Sequence, residues 1–205
     1  MIKVVFLGFG NVNSHLFQVF QKSPNIEIVQ VYNRSKKESL SEIAPVPFTD
    51  DLKEIKEADI YIIGISDDAI EEFSDLLPFR DRLVVHTSGG MEMNKISGKN
   101  RRGVFYPLQT FSKQREPDFQ KIPICLEADN EEDLLILNNL AKEISESIFE
   151  INSEKRAKIH VAAVFVNNFV NFLYHIGSDL LKEDNLPFKL LIPLIQETAE
   201  KIEDL

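Results

Sequence analysis

An apolar strand that runs straight into paired glycines and then into a helix constrains this chain more than any other feature. Ile2 to Leu7 lead into Gly8-Phe9-Gly10-Asn11-Val12-Asn13. Ser14, His15, Leu16, Phe17, Val19 and Phe20 continue with helical spacing, and Glu27 to Tyr32 read as a second strand. Gly8 permits a tight turn off the strand, and Gly10 lets backbone approach an anionic group at the helix N-terminus. Glycine pairs also serve ordinary strand-to-helix turns, so the complete strand, helix, strand unit carries the argument. Asn13 stands where a third glycine would allow close helix-to-strand packing. An intact anion cradle is therefore expected, with the seating of the first helix left open.

The end of the second strand bears on which dinucleotide such a cradle would hold. An Asp or Glu there bonds a free ribose 2'-hydroxyl, whereas a carboxylate would repel a 2'-phosphate. This chain has neutral Asn33, then Arg34, Ser35, Lys36 and Lys37 without an intervening acid, against a net charge of -10. A guanidinium fork beside a hydroxyl suits a phosphate monoester. NADP is the expected cofactor, with Gly8, Gly10, Asn11, Val12, Asn33, Arg34, Ser35 and, at a later strand end, Ser66 as its contacts. A solvated basic turn is the alternative reading of the same four residues.

The 205 residues, 43% hydrophobic and 27% charged, suffice for an ordinary globular domain plus a smaller one. The acidic surplus argues against nucleic acid or an anionic membrane surface as partner. Cys125 is the only cysteine, which excludes an intrachain disulfide and a cysteine zinc cluster and fits a reducing cytoplasm. Within Ile122 to Leu126 it reads as a buried strand residue. The N-terminus is itself a strand, so no secretory signal is expected. The longest apolar stretch, Val161 to Leu173, is broken by Asn167, Asn168 and Asn171 and is shorter than the roughly 20 residues a bilayer needs.

Further along, a charged helical stretch is expected near Lys37 to Ile43, then a short strand at Val46 to Phe48 and a buried strand at Asp59 to Ile65. A helix over Ala69 to Leu77 precedes a strand at Leu83 to His86, which ends in His86-Thr87-Ser88-Gly89-Gly90. The alternation predicts an α/β fold with a doubly wound, mostly parallel sheet, whose ligands lie beyond the carboxyl ends of the strands: Gly8, Asn33, Ser66 and His86. Val104 to Tyr106, Ile122 to Leu126 and Ile148 to Ile151 read as further strands, with Asn130 capping a helix from Glu131 to about Glu146. The sheet domain is expected to span 1–152, and a small all-helical domain 153–205. Ser153 reads as the cap of a helix uninterrupted to about Lys182. A second helix follows Pro187, with Pro193 kinking or dividing it.

At 100° per residue that long helix carries His160, Asn167, Asn171, Tyr174, His175 and Ser178 on one face. Polar but uncharged, this stripe predicts a cleft, a cofactor or a buried interface rather than open solvent. His160 and His175 lie roughly 22 Å apart along the axis and cannot share a metal, so no metal site is expected.

Gly8-Phe9-Gly10-Asn11-Val12, His86-Thr87-Ser88-Gly89, Tyr106-Pro107-Leu108-Gln109-Thr110-Phe111 and His160-Val161-Ala162-Ala163-Val164-Phe165-Val166-Asn167-Asn168-Phe169 together resemble a family of oxidoreductases. Its members join a Rossmann-like NADP-binding domain to a C-terminal helical domain of unknown function. The family is similar to pyrroline-5-carboxylate reductase, the deazaflavin-dependent NADP reductases and the 6-phosphogluconate dehydrogenase group. The resemblance covers essentially the whole chain and implies a homodimer formed through the C-terminal helices. In similar proteins the helical region is commonly longer, and this chain stops just after Leu194-Ile195-Gln196-Glu197-Thr198, so a shortened helical domain is expected. Residues 153–205 are too few to bury a generous core alone, which independently calls for a neighbour.

A reductase of this kind needs a donor that polarises a carbonyl or imine of a small-molecule substrate as hydride arrives. The candidates are His160, Asn168, His86 and Ser88. In similar hydroxyacid dehydrogenases a Lys and an Asn on the equivalent helix do this work; here His160 and Asn168 stand in that region. A core or capping histidine is the alternative for His86. Tyr106 and Gln109 either line the cleft or shape the turn that Pro107 fixes. A non-catalytic NADP-binding dimer, serving redox sensing or protein interaction, is the alternative to an enzyme.

Overall fold

The structure is a computed structural model that describes residues 1–35, 46–112 and 115–204. The expected helical stretch near Lys37 to Ile43, and the lysines Lys36 and Lys37 of the basic turn, lie outside the described residues. Two compact units are present, Met1–Lys158 and Ile159–Leu205.

The first unit is built on one eight-stranded sheet: β1 (Ile2–Leu7), β2 (Ile26–Tyr32), β3 (Phe48–Thr49), β4 (Ile60–Ile63), β5 (Leu83–His86), β6 (Arg101–Pro107), β7 (Ile124–Ala128) and β8 (Ile148–Glu150). Their order is β3-β2-β1-β4-β5-β6-β7-β8. All neighbours pair parallel except β6 and β7. The order reverses at β1, so the crevice between the ends of β1 and β4 is the topological switch point of a Rossmann-like fold.

Both faces of the sheet are covered, which explains why β1, β4 and β5 read as unbroken apolar runs. Alternation divides β1: Val4 and Phe6 enter one core with Leu16, Phe17, Phe20, Phe105 and Leu137, while Val5 and Leu7 enter the other with Tyr61, Ile63, Ile70 and Val84. Helix α1 (Asn11–Phe20) seals the first core through Phe17 and Phe20, whose rings lie 5.9 and 5.8 Å from that of Phe6. Helix α2 (Ile70–Leu76) covers the second core. Helix α3 (Glu131–Lys142) starts at the expected cap, where Asn130 Oδ1 accepts the Asp133 N–H at 2.9 Å.

Helix α4 (Ser153–Ala163) departs from expectation at its start. Asn152, not Ser153, is the cap: its Oδ1 accepts the Lys155 N–H at 3.0 Å. The Ser153 hydroxyl instead donates to Glu127 Oε2 at 2.8 Å, a contact that only the tertiary fold creates.

The second unit continues from α4 through a π-helical segment, Val164–Phe169, into α5 (Val170–Glu183), and ends with α6 (Ile192–Glu200). Pro193 lies in the first turn of α6, where a missing N–H costs no hydrogen bond, and a 3-10 turn, Phe188–Leu191, precedes it. From Ser153 to Glu183 the helical run is 31 residues, long and apolar enough to cross a membrane by length and composition alone. The length argument made from the apolar stretch Val161 to Leu173 is corrected accordingly, because the helix extends past both of its ends. Phe165, Phe169, Phe172, Leu173, Ile176 and Leu180 are exposed on this unit.

Candidate functional site

Gly8 has φ +84°, a left-handed conformation that favours glycine. A Cβ there would overlap Ile65, and one at Gly10 would stand 3.0 Å from the Gly64 carbonyl oxygen. The turn is thus pressed against the end of β4, and the Gly10 N–H points at the Gly64 carbonyl at 3.4 Å. Gly10 is the N-cap of α1, with no side chain capping it. The first-turn N–H groups of Asn11, Val12 and Asn13 have no acceptor within the helix, and Gly10 and Asn11 are exposed, so an anion can approach.

Asn13 resolves the question that the missing third glycine raises. Fully buried, its Nδ2 donates to the Gly8 carbonyl at 2.8 Å and to the Ile62 carbonyl at 3.1 Å. The helix seats closely because Gly64, opposite, has no side chain to occupy that space.

Asn33 acts through both ends of its carboxamide. Oδ1 accepts the Phe9 N–H at 3.3 Å and Nδ2 donates to the Ser35 carbonyl at 2.8 Å, which shapes the turn carrying Arg34 and Ser35. Both of those residues are exposed beside the end of β2, and no described carboxylate forms an ion pair with Arg34. Nearby, burial raises the pKa of the Tyr32 hydroxyl; Asp50 adds to the rise and the Arg34 charge opposes it.

At the next strand ends Ser66 is exposed just beyond β4. The Ser88 hydroxyl donates to Asp67 Oδ2 at 2.7 Å and accepts the N–H groups of Gly90 and Met91 at 3.2 and 3.1 Å. Its proton is therefore committed to Asp67, which fits a turn-shaping part better than a donor to substrate. His86 is fully buried, and its Nδ1 accepts the Ser88 N–H at 3.2 Å. Burial first, and then the charge of Arg156, hold its pKa down at about 4, with the Glu92 backbone opposing. Its Nε2 makes no well-formed hydrogen bond. A neutral, enclosed ring orients the Ser88 turn; it is not placed to exchange protons with solvent.

Sequence reading missed Arg156, Glu127 and Asp67. Arg156 is fully buried and pairs with Glu127 and with the Met91 carbonyl; its Nη2 also donates to Ser153 Oγ at 3.1 Å. Ser153 Oγ accepts the Met93 N–H at 3.0 Å. The loop after β5 is thereby held at Ser88 by Asp67 and at Met91 to Met93 by the first turns of α4. Facing this cluster, Tyr106 is buried and its hydroxyl is pushed up to about 12, chiefly by that burial. An arginine at a helix start gave no signal by spacing; only its burial marks it.

The loop after β6 meets α1. Asn11 Nδ2 donates to the Phe111 carbonyl at 3.4 Å, His15 Nε2 lies 3.1 Å from the Ser112 carbonyl, and the rings of His15 and Phe111 are 5.1 Å apart. Gln109 is exposed, with its Oε1 accepting the Thr110 N–H at 2.8 Å.

In the second unit His160 is half-buried and Asn168 exposed. Asn171 Nδ2 donates to Asn167 Oδ1 at 3.0 Å. The single polar stripe derived with 100° per residue does not persist along the helix, because Val164–Phe169 closes i→i+5 turns that carry about one extra residue. Residues after that segment are rotated by roughly one residue, on the order of 100°, relative to His160.

Residues 122–205 match the model of a domain of unknown function (DUF2520). A Bacteroides fragilis protein assigned as an NADP oxidoreductase is 39% identical, with a TM-score of 0.89 over 100% of this chain and 81% of that one. A Thermotoga maritima protein is 23% identical, with a TM-score of 0.80 over 98% and 80% of the two chains. The NADP-bound pyrroline carboxylate reductase of Plasmodium falciparum is 16% identical, with a TM-score of 0.71 over 100% and 79%. At these last two identities the likeness is one of fold. No protein of curated function matched.

Proposed function

Because the chain belongs to the family of NADP oxidoreductases that join a Rossmann-like fold to a C-terminal DUF2520 domain, we propose that it binds NADP(H) beyond the ends of β1 and β4 and transfers hydride between it and a carbonyl or imine of a small molecule. The observation that carries this reading is the packing of Gly8 and Gly10 on Gly64, which leaves backbone N–H groups at the start of α1 and no side chain in the way of a pyrophosphate. Asn11, Val12 and Ser66 border that position, and Arg34 and Ser35 supply a fork and a hydroxyl for a 2'-phosphate, in a turn that Asn33 shapes. Bound nicotinamide would supply the hydride chemistry. His160 and Asn168 are assigned to polarising the substrate, and His86 and Ser88 to holding the loop after β5.

The exposed aromatic and aliphatic side chains of the second unit suit a homodimer formed through the C-terminal helices. The acidic chain and its single buried thiol suit a cytoplasmic protein acting on neither nucleic acid nor membrane.

Calorimetric titration with NADPH and NADH tests the cofactor. Tight NADPH binding that Arg34→Ala weakens by about 10- to 100-fold, with NADH changed by under about threefold, is expected for loss of charge-assisted hydrogen bonds. Equal losses for both nucleotides would remove the assignment. Following NADPH oxidation against keto acids, cyclic imines and deazaflavin tests the chemistry. Binding without any turnover would favour the non-catalytic module.

A further inference from the structure

The Gly8–Phe9 peptide is clamped from both sides. Its carbonyl accepts from Asn13 Nδ2 at 2.8 Å, and its N–H donates to Asn33 Oδ1 at 3.3 Å. Gly8 itself donates to the Tyr32 carbonyl at 2.8 Å. The second Asn13 N–H goes to the Ile62 carbonyl on β4 at 3.1 Å, so one carboxamide ties two strand ends and the helix start together. Its Oδ1 is buried with no hydrogen-bond partner among the described residues, so the amide serves here as a donor.

Room for this amide comes from one place. A Cβ built on Gly64 would overlap Cγ, Oδ1 and Nδ2 of Asn13 together, and all lie below the surface. A glycine at position 13 would leave the Gly8 carbonyl to find water or go unpaired.

We infer that Asn13 and Gly64 form a matched pair that replaces the third glycine of the motif, the Asn13 carboxamide entering the space left at position 64 and positioning, through the Gly8 carbonyl, the turn that takes the pyrophosphate. Asn13 is a positioning residue, buried beneath the turn and touching no cofactor. The inference rests on the cofactor reading above.

A double-mutant cycle tests it, with Asn13→Ala, Gly64→Ala and the double variant assayed for NADPH and NADH affinity and for thermal midpoint. Gly64→Ala is expected to weaken NADPH by about 100-fold or to fail to fold, as overpacking a buried site predicts. Asn13→Ala should weaken it by about tenfold, through the orphaned Gly8 carbonyl. The double variant should bind about tenfold more tightly than Gly64→Ala, or fold where that variant does not, because the overlap is gone. The NADPH-to-NADH ratio should stay constant throughout, since Arg34 is untouched. Multiplicative losses without rescue, or a Gly64→Ala protein equal to the parent, would overturn the pairing while leaving the cofactor reading intact. A parent protein that binds neither nucleotide would overturn the cofactor reading and the positioning claim together.

Discussion

The backbone N–H of Phe9 and the side-chain oxygen of Asn33 share a hydrogen bond at 3.3 Å, which fixes the end of β2 against the turn after β1. Replacing Asn33 with Asp keeps that acceptor, loses the donor to Ser35, and sets a carboxylate where a 2'-phosphate is proposed to sit. Like charges at that range cost several kcal/mol, so NADPH affinity should fall by at least about tenfold. NADH, whose 2'-hydroxyl can donate to a carboxylate, should bind as well or better. Titrating Asn33→Asp with both nucleotides decides the matter: an undiminished preference for NADPH would put the phosphate elsewhere.

His86 gives the fold a pH dependence of definite sign. Burial and Arg156 lower its pKa from 6.5 to about 4, so the unfolded chain binds a proton near pH 6.5 that the folded chain refuses until about pH 4. The stability at stake is fully present above pH 6.5, is lost as pH falls through that window, and amounts to about 3 kcal/mol. His86→Gln, which cannot titrate, should flatten that part of the profile. Guanidinium unfolding of both proteins at pH 7 and pH 4.5 measures it, and identical slopes would show that His86 is not the group responsible.

Arg156 and Glu127 form a buried ion pair whose worth lies in what its loss exposes. Arg156→Met leaves the Glu127 carboxylate and the Met91 carbonyl without their partner, at a cost of about 3–5 kcal/mol. Arg156→Lys should recover little of this, because one ammonium cannot reproduce a fork that reaches Glu127, Met91 and Ser153. Removing the guanidinium should also raise the His86 pKa, since its charge is the second cause of the depression. Thermal melts and NMR titration of the His86 ring would measure both effects. A variant within about 1 kcal/mol of the parent would mean that the cluster does not anchor the loop after β5.

Sheet, strand ends and the glycine turn were legible in the sequence because each follows from short-range pattern. Leu83 to His86 is a strand with those bounds, and Asn130 caps its helix, since apolar runs and capping residues act locally. Asn13 was read against a three-glycine template, and its compensation at Gly64 was invisible because the two meet only when β4 lies beside β1. Ser153 was read as a cap for the same reason: its hydroxyl serves equally well in a tertiary cluster with Glu127, and no local rule chooses between them. Ser88 and His86 were read as donor candidates because they are polar groups at a strand end. Asp67 and Arg156, which determine what those groups can do, come from other elements.

The π-helical segment supplies the last prediction. Eight α-helical residues separate His160 from Asn168 by about 80° in azimuth at 100° per residue. Turns closed i→i+5 advance each residue by only roughly 80°, so from Val164 onward Asn168 is carried back to nearly the same line as His160. The extra residue thus aligns the two groups proposed to polarise substrate, about 12 Å apart along the helix axis. Deleting Val166, which is 74% exposed, should return the segment to an ordinary helix without opening a cavity, and seven residues at roughly 100° each then keep the asparagine within about 20° of the His160 line. NADPH affinity should change by less than about twofold, and turnover of whichever carbonyl or imine the oxidation screen identifies should stay within about threefold of the parent, whereas His160→Ala should lower it by at least about tenfold. Turnover in the deletion variant as low as that of His160→Ala, with helix content confirmed by circular dichroism, would show that this alignment is not what hydride transfer uses.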